Sequence, residues 1–144
     1  METYDAIEVS VENRVGVITL NRPNVMNAIN EQMINDVTNA MKIFNSNQKI
    51  ACILINGNGR CFSAGFDMKE ASKRSIKGED EWRKVLKKDF DFTMQFWDSK
   101  KPTIAAVHGF CLAGAFEVML ACDISISGKE TFFGEPEVRF GSGI

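Results

Sequence analysis

The chain has 144 residues, 44% of them hydrophobic and 25% charged, with a formal net charge of -2. That length bounds one domain, spanning 1–144, and the composition is ordinary for a globular protein. A pI near 5.5 provides no global basic field to gather phosphates, which argues against nucleic acid as the main partner.

The opening, Met1-Glu2-Thr3-Tyr4-Asp5, is acidic and has neither the basic start nor the apolar run of a signal peptide. Ile7, Val9 and Val11 then alternate with polar residues, the period of a strand with one buried face. Asn13-Arg14 punctuates the run, and Val15–Leu20 reads as a hairpin partner. From Asn30 to Phe44 the spacing lengthens. Met33, Val37, Ala40, Met41 and Phe44 recur every three or four residues, so an amphipathic helix is predicted with Asn30 as its N-cap. The unbroken run Ile50–Ile55 predicts a strand covered on both faces, with a glycine-rich loop after it.

Residues 69–101 are dense in charge and carry a helical stripe of Trp82, Val85, Leu86, Phe90, Met94 and Trp97. The basic side chains in that stretch read as a solvated helical face or, as the minority reading, a rim for phosphates. Thr103–Val107 is expected to be a buried strand and Gly114–Cys122 a helix; Ile124–Ser127 and Thr131–Phe133 are expected to be extended. Strands alternating with helices predict an α/β fold. No apolar run is long enough to cross a bilayer, so no membrane association is expected. The four cysteines have no Cys-x-x-Cys spacing, and Cys52 and Cys122 sit among apolar residues as buried reduced thiols would. A cytoplasmic location follows from these features. The final Gly141-Ser142-Gly143-Ile144 reads as a loop, and a truncated chain is the expectation.

Three segments can carry chemistry. Cys61–Asp67 and His108–Glu117 each lead from a strand through small residues toward a helix, leaving backbone N–H groups unpaired near a positive dipole. Two such sources converging on one oxygen would form an oxyanion hole. Gly65 and Gly114 are equally readable as turn and packing glycines. Glu117, one turn past Gly114, is either a solvated helical charge or, given its apolar neighbours, a half-buried working carboxylate. Glu137 in the third segment, Phe133–Glu137, is either its partner or, with Glu135, an edge-strand charge. The single histidine, His108, is read as structural, and no metal site is expected.

Four ordered blocks resemble the enoyl-CoA hydratase/isomerase (crotonase) family: Asn21-Arg22-Pro23 through Asn30, Phe62–Asp67, Lys101–Val107 and Leu120–Asp123. The resemblance runs the length of the chain. It implies a crotonase-like (ClpP/crotonase) fold of repeated ββα units, with the family's C-terminal helical part missing here. It implies that the Phe66 and Gly114 N–H groups form the oxyanion hole and that Glu117 and Glu137 are the catalytic pair. It also implies that Arg60, Ser63, Ala64, Phe66, Asp67, Met68 and Lys69 border the coenzyme A of an acyl-CoA thioester substrate. The implied reaction is reversible syn addition of water to a 2-enoyl-CoA. The alternatives are an isomerase, an acyl-CoA hydrolase or a non-catalytic fragment. No separate cofactor is implied, coenzyme A being part of the substrate, and the family assembles as homo-oligomers, trimers or dimers of trimers. The family's proline-rich turn after the second glutamate is absent from Val138–Ile144, which leaves the acyl pocket's shape open. The missing half is expected to leave an apolar surface uncovered, with stripes such as Met33, Val37, Met41 and Phe44 in need of a partner.

Overall fold

A computed structural model describes residues 3–140. The hairpin forms as its sequence predicts. Strand β1 (Ile7–Glu12) pairs antiparallel with β2 (Val15–Leu20), Ile7 facing Leu20. Asn13 and Arg14 between them both take positive φ, 48° and 71°. That is the two-residue turn whose twist suits a hairpin. Parallel strands follow in the same sheet: β3 (Cys52–Gly57), β4 (Thr103–Val107) and β6 (Ile124–Ser127), in the order β1-β2-β3-β4-β6. A second, two-stranded parallel sheet pairs β5 (Phe110–Leu112) with β7 (Phe132–Gly134). Three residues of β5 were too few to show a period in the sequence.

Helix α1 (Glu31–Ser46) links β2 to β3. Asn30 caps it, its side chain accepting from the Met33 amide at 3.0 Å. Met33, Val37, Met41 and Phe44 are all buried within this chain, so their stripe finds its partner surface on the sheet and needs no missing half. Buried Asp36 joins α1 to the start of β1, accepting from the Asp5 and Ala6 amides at 3.1 and 2.9 Å. Such bonds are what make a buried carboxylate tolerable.

Short α2 (Met68–Ala71) and long α3 (Gly78–Trp97) link β3 to β4, and α4 (Gly114–Ala121) links β5 to β6. The α3 stripe corrects the sequence reading. Trp82, Leu86, Phe90 and Trp97 are each more than half exposed, and the buried face is instead Phe92, Thr93 and Phe96. The apolar stripe is wider than the buried face, and the fully buried residues all lie in the last two turns. Its charges include the pairs Arg83–Glu79 (2.7 Å) and Lys87–Asp91 (2.6 Å), as a solvated face would have.

Strand β3 is likewise fully covered on one face only: Ile53 and Ile55 are buried, while Cys52 and Leu54 are half-buried. Cys52 is therefore not the buried thiol that its neighbours suggested. Cys61, Cys111 and Cys122 are buried, and all four cysteines are free. The aromatic segment β7 and the whole of β6 are largely exposed. Among the described residues no helix is long and apolar enough to cross a membrane. The loop reading of Gly141–Ile144 lies outside the described residues.

Candidate active site

The loop from Cys61 to Asp67 holds nearly every amide it has. Phe62 N–H donates to the His108 carbonyl (2.8 Å), Ser63 to Phe110 (3.1 Å), Ala64 to Met26 (3.0 Å) and Asp67 to Ile29 (2.9 Å). Gly65 N–H donates to Ser63 Oγ at 3.1 Å. From residue 62 to 67, only the Phe66 amide has no acceptor among the described residues.

The second unpaired amide lies beside it. Gly114 is the first residue of α4, where helical N–H groups have no partner four residues back. A Cβ placed on Gly65 would stand 3.2 Å from Gly114 N and 2.8 Å from the Leu112 carbonyl, and Gly65 itself sits at φ +88°. A Cβ on Gly114 would meet the Phe66 ring at 2.3 Å. Glycine is thus required at both positions for the close approach of the two backbones. Ala113, just before Gly114, takes φ 55°, ψ -139°, a conformation that costs a residue with a Cβ of order 1–3 kcal/mol. Its amide donates to the Gly134 carbonyl (2.8 Å), tying the helix start to β7.

Four carboxyl groups gather beyond the amides. Glu117, half-buried on α4, has its pKa raised, first by burial and then by the charge of Glu137. The Thr93 hydroxyl opposes that shift, although it makes no hydrogen bond of ordinary geometry, and Asp89 adds to it. Asp89, on α3, is itself pushed up by burial against the pull of Arg74 and Lys88. Glu137 lies in a 3-10 turn (Pro136–Phe140) rather than at a strand end, and its Oε2 is buried with no hydrogen-bond partner among the described residues. Glu135 is raised to about 7 by burial, by its contact with the Glu137 carboxyl and by the charges of Glu137 and Glu117. Carboxylates this close cannot all ionise freely, so protons are held among them near neutral pH.

The match to the enoyl-CoA hydratase/isomerase family model runs from residue 10 to residue 143. The chain belongs to that family. Among relatives, a probable enoyl-CoA hydratase of Mycobacterium leprae (strain TN) is 39% identical over 142 residues, 96% of this chain and 52% of the relative. The mitochondrial enoyl-CoA hydratase of Pongo abelii is 35% identical over 130 residues, covering 90% and 43%. An enoyl-CoA hydratase/isomerase from Xanthobacter autotrophicus Py2 superposes with a TM-score of 0.95 at 45% identity, covering 99% of this chain and 53% of that one. The fold is therefore the crotonase fold of repeated ββα units. The chain spans about half the length of the curated relatives it matches.

Within this family member, the structure brings Phe66, Gly114, Glu117 and Glu137 to one place. Arg60, Met68 and Lys69 are exposed, and Ala64 is half-buried. Ser63 is fully buried, its hydroxyl donating to the Asn27 carbonyl and accepting from the Gly65 amide. Asp67 pairs with Arg22 at 3.0 Å and caps α2 through the Glu70 amide at 3.1 Å. Burial pushes the Asp67 carboxyl up, but those partners outweigh it and hold it below the usual range. Glu135, Asp89 and Thr93 are site neighbours that sequence reasoning did not assign. The Glu-Pro-Glu spacing was the available signal for Glu135; Asp89 was indistinguishable from the charges around it.

Proposed function

We propose that this chain supplies the catalytic machinery of an enoyl-CoA hydratase, acting by reversible syn addition of water to a 2-enoyl-CoA. The observation that carries the reading is the pair of unpaired amides, Phe66 and Gly114, standing beside Glu117 and Glu137. The amides suit a thioester oxygen that gains charge as an enolate forms. Glu117, its pKa raised by burial and by the charge of Glu137, is placed to take the proton of a water molecule as its oxygen bonds to the β-carbon. The double-bond electrons then move toward the α-carbon, where Glu137 delivers a proton on the same face. Addition of water is redox-neutral, so the reading calls for no resident metal or redox cofactor; coenzyme A arrives as part of the substrate.

Arg60 and the exposed Met68 and Lys69 are the proposed border of the coenzyme A path. A homo-oligomer, a trimer or dimer of trimers, is part of the reading, and the apolar side chains exposed on β6 and β7 would supply surface for it. Four free cysteines fit a reducing compartment such as the cytoplasm. The test is crotonyl-CoA in ¹⁸O-labelled water. A 3-hydroxyacyl product carrying ¹⁸O at its β-carbon is expected, and an isomerised or hydrolysed thioester without that label would overturn the assignment.

A further inference from the structure

The direction of the Phe66 N–H is set from outside its own loop. A peptide unit is planar and trans, so fixing the Gly65 carbonyl fixes the Phe66 N–H that points the opposite way. The Gly65 carbonyl accepts from the Ile29 amide at 2.8 Å. The preceding peptide is held through the Gly65 amide, which donates to Ser63 Oγ, and that hydroxyl in turn donates to the Asn27 carbonyl at 2.8 Å. Both constraints lead back to Asn27–Ile29.

Asn27 is itself locked. It is fully buried, sits at φ 51°, and its side-chain NH₂ reaches the carbonyls of Asn58 (2.8 Å), Cys61 (3.0 Å) and Phe62 (3.0 Å). Its Oδ1 accepts from the Arg22 amide at 2.8 Å. One buried side chain therefore joins the strand before the loop, the loop's first turn and the segment that sets the Gly65–Phe66 peptide. The opposite side has no slack, because Gly65 already lies against Ala113 and the Leu112 carbonyl.

We propose that Asn27 and Ser63 are positioning residues that hold the Phe66 N–H at the thioester oxygen. This rests on the reading of Phe66 and Gly114 as oxyanion donors, and it adds what aims one of them. The test is isotope-edited infrared spectroscopy of butyryl-CoA, ¹³C-labelled at the thioester carbonyl and bound to the protein. Hydrogen bonds to that oxygen lower its stretching frequency, and a residue with only a structural role would not alter the shift in folded protein.

Wild type is expected to lower the frequency relative to free butyryl-CoA, and Ser63→Ala to lose roughly half of that shift or more while still binding the ligand, since misplacing a catalytic contact by ~1 Å has large effects. Val37→Ala, in the core and outside the network, is expected to melt earlier yet keep the full shift. Should Ser63→Ala fail to fold, Ser63→Cys keeps a donor and acceptor at that position in a slightly larger side chain and weakens the hydrogen bonds, and a partial loss is expected. A full wild-type shift in either folded variant overturns the positioning role and leaves the donors standing. No shift in wild type overturns the donor reading and this proposal with it.

Discussion

The two sides of the site are built by opposite means. On the amide side, residues 62 to 67 are pinned at every N–H but that of Phe66, and glycines at 65 and 114 let two backbones touch. On the carboxylate side, Glu135 and Glu137 follow the exposed strand β7, Glu137 within a short 3-10 turn, and the Glu137 charge helps raise the pKa of both Glu117 and Glu135. The first side is order without charge; the second is charge held in tension. Preorganised donors stabilise developing charge because they need no rearrangement during reaction. Proton transfer requires the reverse, groups whose protonation can change near neutral pH.

The carboxylate side is where a single atom should matter most. Glu117→Gln and Glu137→Gln preserve shape and remove the proton traffic, so each should lower kcat for hydration roughly 10²–10⁴-fold. Binding of a saturated acyl-CoA should change little, because neither carboxylate is needed to hold the thioester oxygen. Steady-state kinetics with crotonyl-CoA, set beside calorimetry with butyryl-CoA, separates the two effects. Near-native turnover in either variant would remove that residue from the chemistry.

The amide side should instead break by crowding. Gly114→Ala needs no unusual backbone conformation, but its methyl would stand 2.3 Å from the Phe66 ring. That ring is braced edge-on against Phe92 (centroids 6.2 Å apart), which meets Phe96 in the same way. Overpacking of this kind costs about 1–3 kcal/mol. In a Phe66→Ala background the ring is gone, and the added cost of Gly114→Ala should fall to about 0.5 kcal/mol or less, the range of independent sites. Urea denaturation of the two single variants and the double variant measures the coupling. Additive costs would show that the two backbones are not held against each other.

What the sequence disclosed follows the range of each interaction. The α1 cap at Asn30, the hairpin turn at Asn13-Arg14 and the buried stripe of α1 are local, and all were legible. The resemblance located Gly114 and Phe66 because their motifs are contiguous. The inward face of α3 was not legible, since Trp82, Leu86 and Phe90 form as good a stripe as Phe92 and Phe96, and only the position of α4 decides between them. Asn27 was missed because its three carbonyl partners lie 31 to 35 residues away, and nothing local sets it apart from Asn30. The Glu135 shift depends on two other carboxylates that only the fold brings near.

Glu135 supplies a smaller test of the tension on the carboxylate side. Its carboxyl is raised from the model-peptide value of 4.5 to about 7 in the folded protein. A raised pKa means that the folded state binds the proton more tightly, so this contribution is full below about pH 4.5 and is lost as pH rises through 7. With partial exposure and coupling discounted, about 1 kcal/mol is expected, or roughly 2–4 °C in Tm for a chain of this size. Wild type should therefore melt higher at pH 5.5 than at pH 8, and Glu135→Gln should flatten that slope. The carboxyls of Asp67 and Glu31 are held low and stay ionised across this window, so they do not mask the effect. An unchanged slope in the variant would mean that Glu135 titrates as a solvated group.

The smallest effect tests whether the amide side also stores strain. Ala113 is the N-terminal neighbour of Gly114, and its φ of 55° with ψ of -139° is a combination that glycine adopts freely and alanine does not. Ala113→Gly removes that strain, of order 1–3 kcal/mol, against the 0.5–1 kcal/mol that a glycine's extra unfolded-state freedom costs. The methyl it deletes is buried but small. A net gain of about 0.5–1 kcal/mol in urea unfolding is expected, with the amide contacts from Ala113 to Gly134 and from Phe116 to Ala113 retained. Hydration should be unaffected or slightly slowed, because the Gly114 amide keeps its neighbours while its backbone gains freedom. A loss of stability would show that packing of the Ala113 methyl against Gly65 outweighs the backbone strain, and that this side of the site is held by contact alone.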